Sequence, residues 1–247
     1  ITRLAIENIL HPFQPWILGQ KNYPTKFAIM TKIPLIVYGD NPAEYGNPNA
    51  DLTDDMNMEW FSCKDQNEIY ISGYPIKKLK KDLDLTNAQL EPYVPVTEKE
   101  FKNQKLKYVS LSYFTNWHPQ HNYYYTIENS NNFQTSGERN CGTYTTNSGL
   151  DDKIDDLHYY TTFIKFGLGR ATYDSAQEVR NKHLTREEAI QLIKRFDGEY
   201  PDKYLEEVLD YLKIKEEDFN ELCNKFRPAH LWEKKSNGWK LKHTIYK

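Results

Sequence analysis

The side chains best suited to chemistry in this 247-residue chain lie between Gly149 and Arg180. They include Asp151, Asp152, Lys153, Asp155, His158, Arg170 and Arg180. Carboxylates and histidine can transfer protons, and lysine and arginine can bind phosphate or carboxylate groups. A simpler interpretation is that the first aspartates only match the positive end of a helix dipole.

The same stretch has the pattern of an amphipathic helix. Its apolar stripe is Ile154, Leu157, Thr161, Ile164 and Leu168. Its neighbouring polar stripe is Asp151, Asp155, His158, Thr162 and Lys165. Gly167 and Gly169 lack the preceding strand and the third glycine of a dinucleotide-binding loop. We expect them instead to end one helix and to permit a tight turn into the next.

Composition excludes several kinds of protein. The chain has 27% charged residues and a net charge of only -3, so it has no overall basic field for nucleic acid or an anionic membrane, and neither partner is expected. Its cysteines are widely separated and odd in number, which indicates reduced thiols in a cytoplasmic protein. His118 and His121 have a metal-ligand spacing without further ligands beside them in the sequence, so no metal site is predicted.

Residues 1–50 have the pattern of the end of an α/β domain. Thr2 to Leu10 predicts a helix, PFQPWILGQ a strand-like segment, and Thr25 to Thr31 a second helix. IPLIVYG predicts a strand buried on both faces of a parallel sheet. The three polar residues that follow it, Asp40, Asn41 and Glu44, stand where such sheets bind ligands, although a polar surface turn is the alternative. Because the chain starts at Ile1 within a helical pattern, we expect it to begin partway through a larger protein.

The next two regions differ in character. Residues 51–137 predict an irregular, aromatic connecting subdomain, with a short basic helix in KLKKDLDLTNAQLEPYVPV and strands in LKYVSLSYF and HNYYYTIENS. The aromatic side chains from Trp117 to Tyr125 could stack on a sugar or base, or could simply pack. Residues 138–247 predict a mainly helical domain with a capping box at Thr185, a core cysteine at Cys223 and a terminal hairpin around Asn237.

Several long segments resemble the bacterial N-acetyl sugar amidotransferases of surface-glycan and flagellin-sugar biosynthesis. They are PFQPWILGQ, IPLIVYGDNPAEYGN, GTYTTNSGLDDKIDDLHYYTTFIKFGLGRATYDSAQEVRN, REEAIQLIKRFDGEYP and KFRPAHLWEK, in that order. That family belongs to the PP-loop ATP pyrophosphatases. The resemblance implies an α/β fold: the C-terminal part of a PP-loop parallel-sheet domain, then a mixed insertion and a mainly α-helical C-terminal domain.

The resemblance also implies a reaction. ATP, with Mg²⁺, would adenylate the oxygen of a sugar acetamido group, and ammonia from a separate glutaminase partner would displace AMP to give an acetamidine. Family members carry a Ser-Gly-Gly-x-Asp-Ser phosphate loop that is missing here, so this chain alone is expected to be inactive. Two alternatives stay open: another PP-loop enzyme, forming amides or modifying RNA, and a non-catalytic carbohydrate- or nucleotide-binding module.

Roles for individual residues follow from a similar layout in asparagine synthetase, another PP-loop enzyme. By position, Asp40 is the catalytic carboxylate and Lys153 the pyrophosphate-binding cation, with Asn41 beside the nucleotide. Four further residues are candidates for sugar or phosphate contacts: Glu44, His158, Arg170 and Arg180. For Arg170, a helix-capping or salt-bridging role is the alternative.

Overall fold

The computed structural model describes residues 1–39, 60–115 and 118–246. They form two compact units, the first comprising Ile1–Asn8 and Phe13–Trp117 and the second Ile9–Pro12 and His118–Lys247. The domain boundaries at residues 50 and 137 stay a prediction.

Each unit has its own set of helices and strands. The first contains α1 (Thr2–Ile9), α2 (Gln14–Thr31), β1 (Leu35–Tyr38), β2 (Ser62–Cys63), β3 (Tyr70–Ile71), β4 (Tyr74–Pro75), α3 (Ile76–Asp82), α4 (Asn87–Leu90), β5 (Val96–Thr97), α5 (Glu98–Lys102) and β6 (Lys107–Ser110). The second contains α6 (Pro119–Asn129), α7 (Asp155–Phe166), α8 (Arg170–Arg180), α9 (Arg186–Phe196), α10 (Leu205–Leu212), α11 (Glu216–Lys225), β7 (Trp232–Lys235) and β8 (Gly238–Leu241). The chain is therefore a mixed α/β protein with small sheets and a helical C-terminal region.

The predicted parallel strand is present in the first unit. β1 pairs in parallel with β6, in a register that sets Leu35 opposite Lys107 and Tyr38 opposite Ser110. However, the side chains of Leu35 and Val37 are 49% and 55% exposed, so the prediction of burial on both faces is wrong. These two alternate residues share one face of the strand, and that face is not covered.

A small apolar core holds the first unit together. It is formed by Ile71, Ile76, Leu79, Leu90 and Val94. Leu4 of α1 and Leu18 of α2 pack against it. A second contact joins α2 to β6, where the hydroxyls of Thr25 and Tyr108 lie 2.9 Å apart. The helix predicted at Thr2–Leu10 is confirmed as α1.

The predicted secondary structure is wrong for two segments of the first unit. PFQPWILGQ is not strand-like but lies largely within α2, because Pro15 stands in the first helical turn, where its missing N–H has no partner to lose. The basic segment KLKKDLDLTNAQLEPYVPV forms two helices, α3 and α4, instead of one. Asp84, with a φ of 51°, breaks the helical path, and Thr86 then caps α4 with a capping box.

HNYYYTIENS is also a helix, α6, and not the predicted strand. His118 caps the helix by accepting the backbone N–H of His121, and Pro119 occupies its first position. These start signals outweigh the strand preference of its tyrosines, which lie on the surface, Tyr124 and Tyr125 being 56% and 60% exposed.

The helices predicted in the second unit are confirmed. The capping box at Thr185 opens α9, and Cys223 of α11 is a buried core residue, 1% exposed. β7 and β8 form the predicted hairpin. In its register, Trp239 stands opposite Lys234 and Trp232 stands opposite Leu241. The two indole rings each contact the guanidinium of Arg227, at 5.3 and 5.4 Å.

Candidate functional site

The turn between α7 and α8 determines where Arg170 begins its helix. Gly167 ends α7 with a φ of 70°, and Gly169 precedes α8, so the predicted role of the two glycines is confirmed. The carboxylate of Asp197 accepts the N–H groups of Gly169, at 3.0 Å, and Thr172, at 3.1 Å. This carboxylate satisfies the first amides of α8, which would otherwise be available to a phosphate.

Arg170, the first residue of α8, is held by two side chains. Its Nε donates to both oxygens of Asp174, at 2.8 and 3.0 Å, and its guanidinium lies 5.1 Å from the centre of the Tyr159 ring on α7. The Asp174 carboxyl is mostly buried, and burial raises its pKa while the charge of Arg170 opposes that rise. The guanidinium plane is therefore fixed before any ligand arrives.

Asp155, at the start of α7, has a carboxyl whose pKa is raised close to the physiological range. Burial raises the pKa of its carboxyl to about 6, an effect that Asp151 and Asp152 increase, whereas Arg170 and the Tyr159 hydroxyl oppose it. A carboxyl with this pKa is mostly ionised at pH 7 and can take up a proton within the physiological range.

We call Asp155, Tyr159, Arg170 and Asp174 the acid–arginine cluster. Asp155 and Arg170 lie close enough for the guanidinium charge to lower the pKa of the carboxyl. The cluster thus combines an anionic base with a fixed cation, which is the combination required to remove a proton near a bound anion.

The loop before α7 lies directly against this cluster. Gly149, with a φ of 61°, passes so close that a Cβ there would lie 2.7 Å from Oδ2 of Asp155 and 2.9 Å from Nδ2 of Asn140. The Asn140 amide donates at 2.7 Å to Oδ1 of Asp156, a buried carboxyl of α7. Glycine is required at position 149 because any side chain would displace the carboxyl of Asp155.

The other end of the loop is held by Glu199, which follows α9. The guanidinium of Arg139 pairs with both oxygens of Glu199, at 2.5 and 2.6 Å, and the N–H of Gly142 donates to the same carboxylate at 2.8 Å. The loop also carries Tyr144, whose hydroxyl is buried and has no hydrogen-bond partner among the described residues. Burial raises the pKa of Tyr144, and the charges of Asp174 and Glu178 raise it further.

His158 lies on the other side of Tyr159 and is kept neutral. Its ring stacks on His11 with centroids 5.1 Å apart, and the Lys165 ammonium donates to the carbonyl of Ile9 at 2.8 Å. Burial lowers the pKa of His158 to about 3 and that of His11 to about 4. A neutral His158 can contribute hydrogen bonds to a ligand but is a weak base.

Lys153 occupies a different position from the acid–arginine cluster. Its ammonium lies 2.8 Å from both carboxylate oxygens of Glu207 and 5.6 Å from the centre of the Tyr204 ring. Its side chain is 56% exposed. Arg180, the last residue of α8, is exposed as well. Of the predicted residues described here, the structure therefore brings together only Arg170 and His158.

The remaining predicted site residues, Asp40, Asn41 and Glu44, lie outside the described residues. Three members of the cluster were given no specific role from the sequence: Asp155, which was noted only as one of the polar residues of its segment, Tyr159 and Asp174. Their sequence signal is the spacing of four residues, which sets Asp155 beside Tyr159 and Arg170 beside Asp174 on a helix.

A histidine cluster lies at the far end of α8. Nε2 of His118 and Nδ1 of His183 lie 3.8 and 3.1 Å from Oε2 of Glu178. His121, which the sequence spacing associated with His118, contributes a backbone N–H to it. The described residues thus offer one group that could hold a metal ion, composed of His118, Glu178 and His183.

The C-terminal half of the chain is similar to a known protein family. A family model described as LPS biosynthesis protein WbpG-like, C-terminal domain, matches residues 112–246, which is more than half of the chain. No curated protein matches the sequence. In the part of the chain that the structure describes, no helix is both long and apolar enough to cross a membrane.

Proposed function

The chain belongs to the family of WbpG-like lipopolysaccharide biosynthesis proteins, and on this premise we propose that it is part of an ATP-dependent sugar amidotransferase. The enzyme converts an acetamido group of a bacterial surface-glycan sugar to an acetamidino group. The substrate is an acetamido sugar, ATP is the co-substrate with Mg²⁺, and ammonia comes from a separate glutaminase subunit in the cytoplasm.

The proposed chemistry has two steps. The acetamido oxygen attacks the α-phosphorus of ATP, pyrophosphate leaves, and the oxygen becomes part of an adenylate ester. Ammonia then forms a C–N bond to the activated carbon, the C–O bond breaks, and AMP leaves with the former amide oxygen. The attacking nitrogen must lose a proton as the C–N bond forms, so the second step needs a base.

The acid–arginine cluster is the observation that supports this chemistry most directly. The carboxylate of Asp155, with its pKa raised to about 6, is suited to accept that proton at neutral pH. Arg170, fixed by Asp174 and Tyr159, is suited to hold the negative charge of a phosphate or of a sugar carboxylate. His158, neutral and next to Tyr159, would contact a sugar hydroxyl.

The proposed ATP contacts rest on fewer observations. Asp40 and Asn41 lie outside the described residues, and Lys153 is the described residue proposed to hold pyrophosphate. Its present partner, Glu207, is 63% exposed, and an ion pair this accessible to water contributes little to stability. Lys153 can therefore exchange Glu207 for a phosphate oxygen at little cost, which is compatible with the proposed role.

The cysteines support an external source of ammonia. A glutaminase of the cysteine type needs a thiol that ionises easily. Burial raises the pKa of Cys63 and Cys141, and it raises the pKa of Cys223 to about 12. None of these thiols has a lowered pKa, which supports the proposal that a separate glutaminase supplies the ammonia.

A non-catalytic carbohydrate-binding module is the second candidate. Its supporting observation is the exposure of Tyr124 and Tyr125 on α6, which could stack on a sugar ring. The two candidates separate cleanly. In the enzyme, Tyr124→Ala leaves turnover near the native rate and Asp155→Asn lowers it by about a hundredfold or more. In a binding module, sugar binding depends on Tyr124 and no ATP is consumed.

The experiment is a turnover assay with full-length protein, ATP, Mg²⁺, ammonium and an acetamido sugar nucleotide. We expect AMP, pyrophosphate and acetamidine in equal amounts, with ammonium replacing the glutaminase. Release of ADP and phosphate, or AMP formation that does not require the sugar, would refute the proposed reaction.

A further inference from the structure

We propose that His118, Glu178 and His183 form a binding site for a divalent transition-metal ion of the Zn²⁺ type. This inference does not depend on the proposed amidotransferase reaction. Two imidazoles and one carboxylate are a donor set that Zn²⁺ accepts, with a fourth position left for water.

The three ligand atoms already stand close together. His118 Nε2 and His183 Nδ1 lie 3.8 and 3.1 Å from Glu178 Oε2, and all three atoms lie within 4.8 Å of one another. Ligands at 2.0 to 2.1 Å from a tetrahedral zinc ion are about 3.3 Å apart, so small side-chain movements would complete the site.

Each ligand is positioned by its own backbone. His118 is the cap of α6, and Glu178 lies in the last turn of α8. The N–H of His183 donates to the carbonyl of Glu178 at 2.9 Å, which folds the chain back after α8 and returns the imidazole to the carboxylate. The site is therefore made by tertiary structure, which explains why sequence spacing does not reveal it.

A buried nitrogen points independently to a ligand. The side chain of His118 is only 7% exposed, and its Nε2 is buried without a hydrogen-bond partner among the described residues. Its nearest charged group, Glu178 Oε2, is too far for a hydrogen bond. The described residues therefore leave Nε2 of His118 without a hydrogen bond, and this nitrogen is available to bind an ion.

The cap of α6 makes ion binding detectable. Nδ1 of His118 accepts the N–H of His121 at 3.0 Å, so in the ion-free protein the imidazole proton belongs on Nε2. An ion at Nε2 must displace this proton to Nδ1 and so break the cap. The loss of one cap weakens ion binding by about fivefold, which a site with three ligands can tolerate. Ion binding thus switches the tautomer of His118.

The test uses the full chain after chelation, titrated with Zn²⁺ or Co²⁺ by calorimetry and visible absorption. We expect one ion per chain. We expect at least about tenfold weaker binding in His183→Ala and in Glu178→Gln, which removes the charge at constant size. His121→Ala is the matched control, since it removes an exposed histidine of the same helix and should bind as the native chain does.

Nitrogen-15 NMR supplies the second readout. Zn²⁺ should convert the His118 tautomer from Nε2–H to Nδ1–H in the native chain and leave it unchanged in His183→Ala. The proposal is overturned if the native chain binds neither ion, if His183→Ala and Glu178→Gln bind as tightly as native, or if His118 keeps its tautomer when the ion is bound.

Discussion

The guanidinium of Arg170 lies 5.1 Å from the centre of the Tyr159 ring while its Nε donates to Asp174. The stacking joins α8 to α7, and the ion pair fixes the rotation of the guanidinium plane. Asp155, one helical turn before Tyr159, reaches the same place from α7. A base and a cation are thereby brought together by two helices and one glycine turn.

Arg170→Lys should lower turnover by at least about tenfold. A lysine ammonium cannot stack on the Tyr159 ring as a planar guanidinium does, and it cannot form two parallel hydrogen bonds to one anion. The measurement is kcat and KM for the sugar, together with thermal unfolding. Arg186→Lys on α9 is the matched control, since Arg186 is exposed and should show native kinetics. An Arg170→Lys enzyme with native kcat and KM would contradict the role of the guanidinium.

Asp155→Asn should abolish the acidic limb of the pH–rate profile. In the native enzyme, kcat/KM should rise through about pH 6 as Asp155 ionises, because the base must be deprotonated to act. Measurement of kcat/KM from pH 5 to 8 checks this, with Asp218→Asn as the control, since Asp218 is an exposed aspartate of α11. An unchanged limb in Asp155→Asn would assign the titration to another group.

Asp155→Asn should also raise the stability of the protein at neutral pH, although it lowers activity. The folded-state pKa of Asp155 is raised from 3.8 to about 6, so the folded protein binds more protons between these values and loses stability as pH rises through them. Asp155→Asn should therefore be more stable than native by about 1–2 kcal/mol at pH 7, allowing for partial exposure, and equal to it near pH 4. Denaturant unfolding at both pH values measures the difference.

His158→Phe should make the protein less sensitive to acid. The folded-state pKa of His158 is lowered from 6.5 to about 3, so the unfolded chain binds the proton first and stability is lost as pH falls below 6.5. Phenylalanine keeps the stacking on His11 without the charge. The loss of unfolding free energy from pH 7 to pH 5 should be smaller by about 2 kcal/mol in the variant. His230→Gln, an exposed control, should behave as native, and equal losses in native and His158→Phe would refute this account.

Lys153→Ala should nearly abolish turnover without unfolding the protein, whereas Glu207→Gln should preserve it. The two residues form one exposed ion pair, so both variants break the same contact, and the stability of each should stay close to native. Equal losses of turnover in the two variants would show that the pair, and not the lysine cation, is required.

Asp197→Ala should destabilise the second unit by about 2 kcal/mol, because the carboxylate caps the first amides of α8 and also accepts the Thr172 hydroxyl. Gly169→Ala should have a similar effect, since its Cβ would lie 2.6 Å from Asp197 Oδ1. Chemical denaturation measures both. Native stability in both variants would show that α8 does not depend on this cap.

Local signals explain which parts of the fold the sequence predicted. The capping box at Thr185 and the glycines at 167 and 169 determine only the helix ends beside them, so the predicted helix ends are confirmed. The strand predictions for PFQPWILGQ and HNYYYTIENS are wrong because the helix-start signals of these segments outweigh the strand preference of their aromatic residues.

The site was harder to predict than the helices because its properties arise from tertiary contacts. The raised pKa of Asp155 depends on the burial of its carboxyl in the folded protein, and the partner of Lys153, Glu207, is 54 residues further along the chain. The histidine cluster likewise joins His118 to residues 60 or more positions away. Sequence spacing carries no information about such contacts.

The most direct test of the central claim is the fate of the acetamido oxygen. The full-length enzyme would be given a sugar whose acetamido group carries oxygen-18, together with ATP, Mg²⁺ and ammonium, and the AMP would be analysed by mass spectrometry. The account predicts that the label appears in AMP in proportion to the acetamidine formed, and that Asp155→Asn and Arg170→Lys reduce both products. Acetamidine formed with unlabelled AMP, or with no AMP at all, would contradict it.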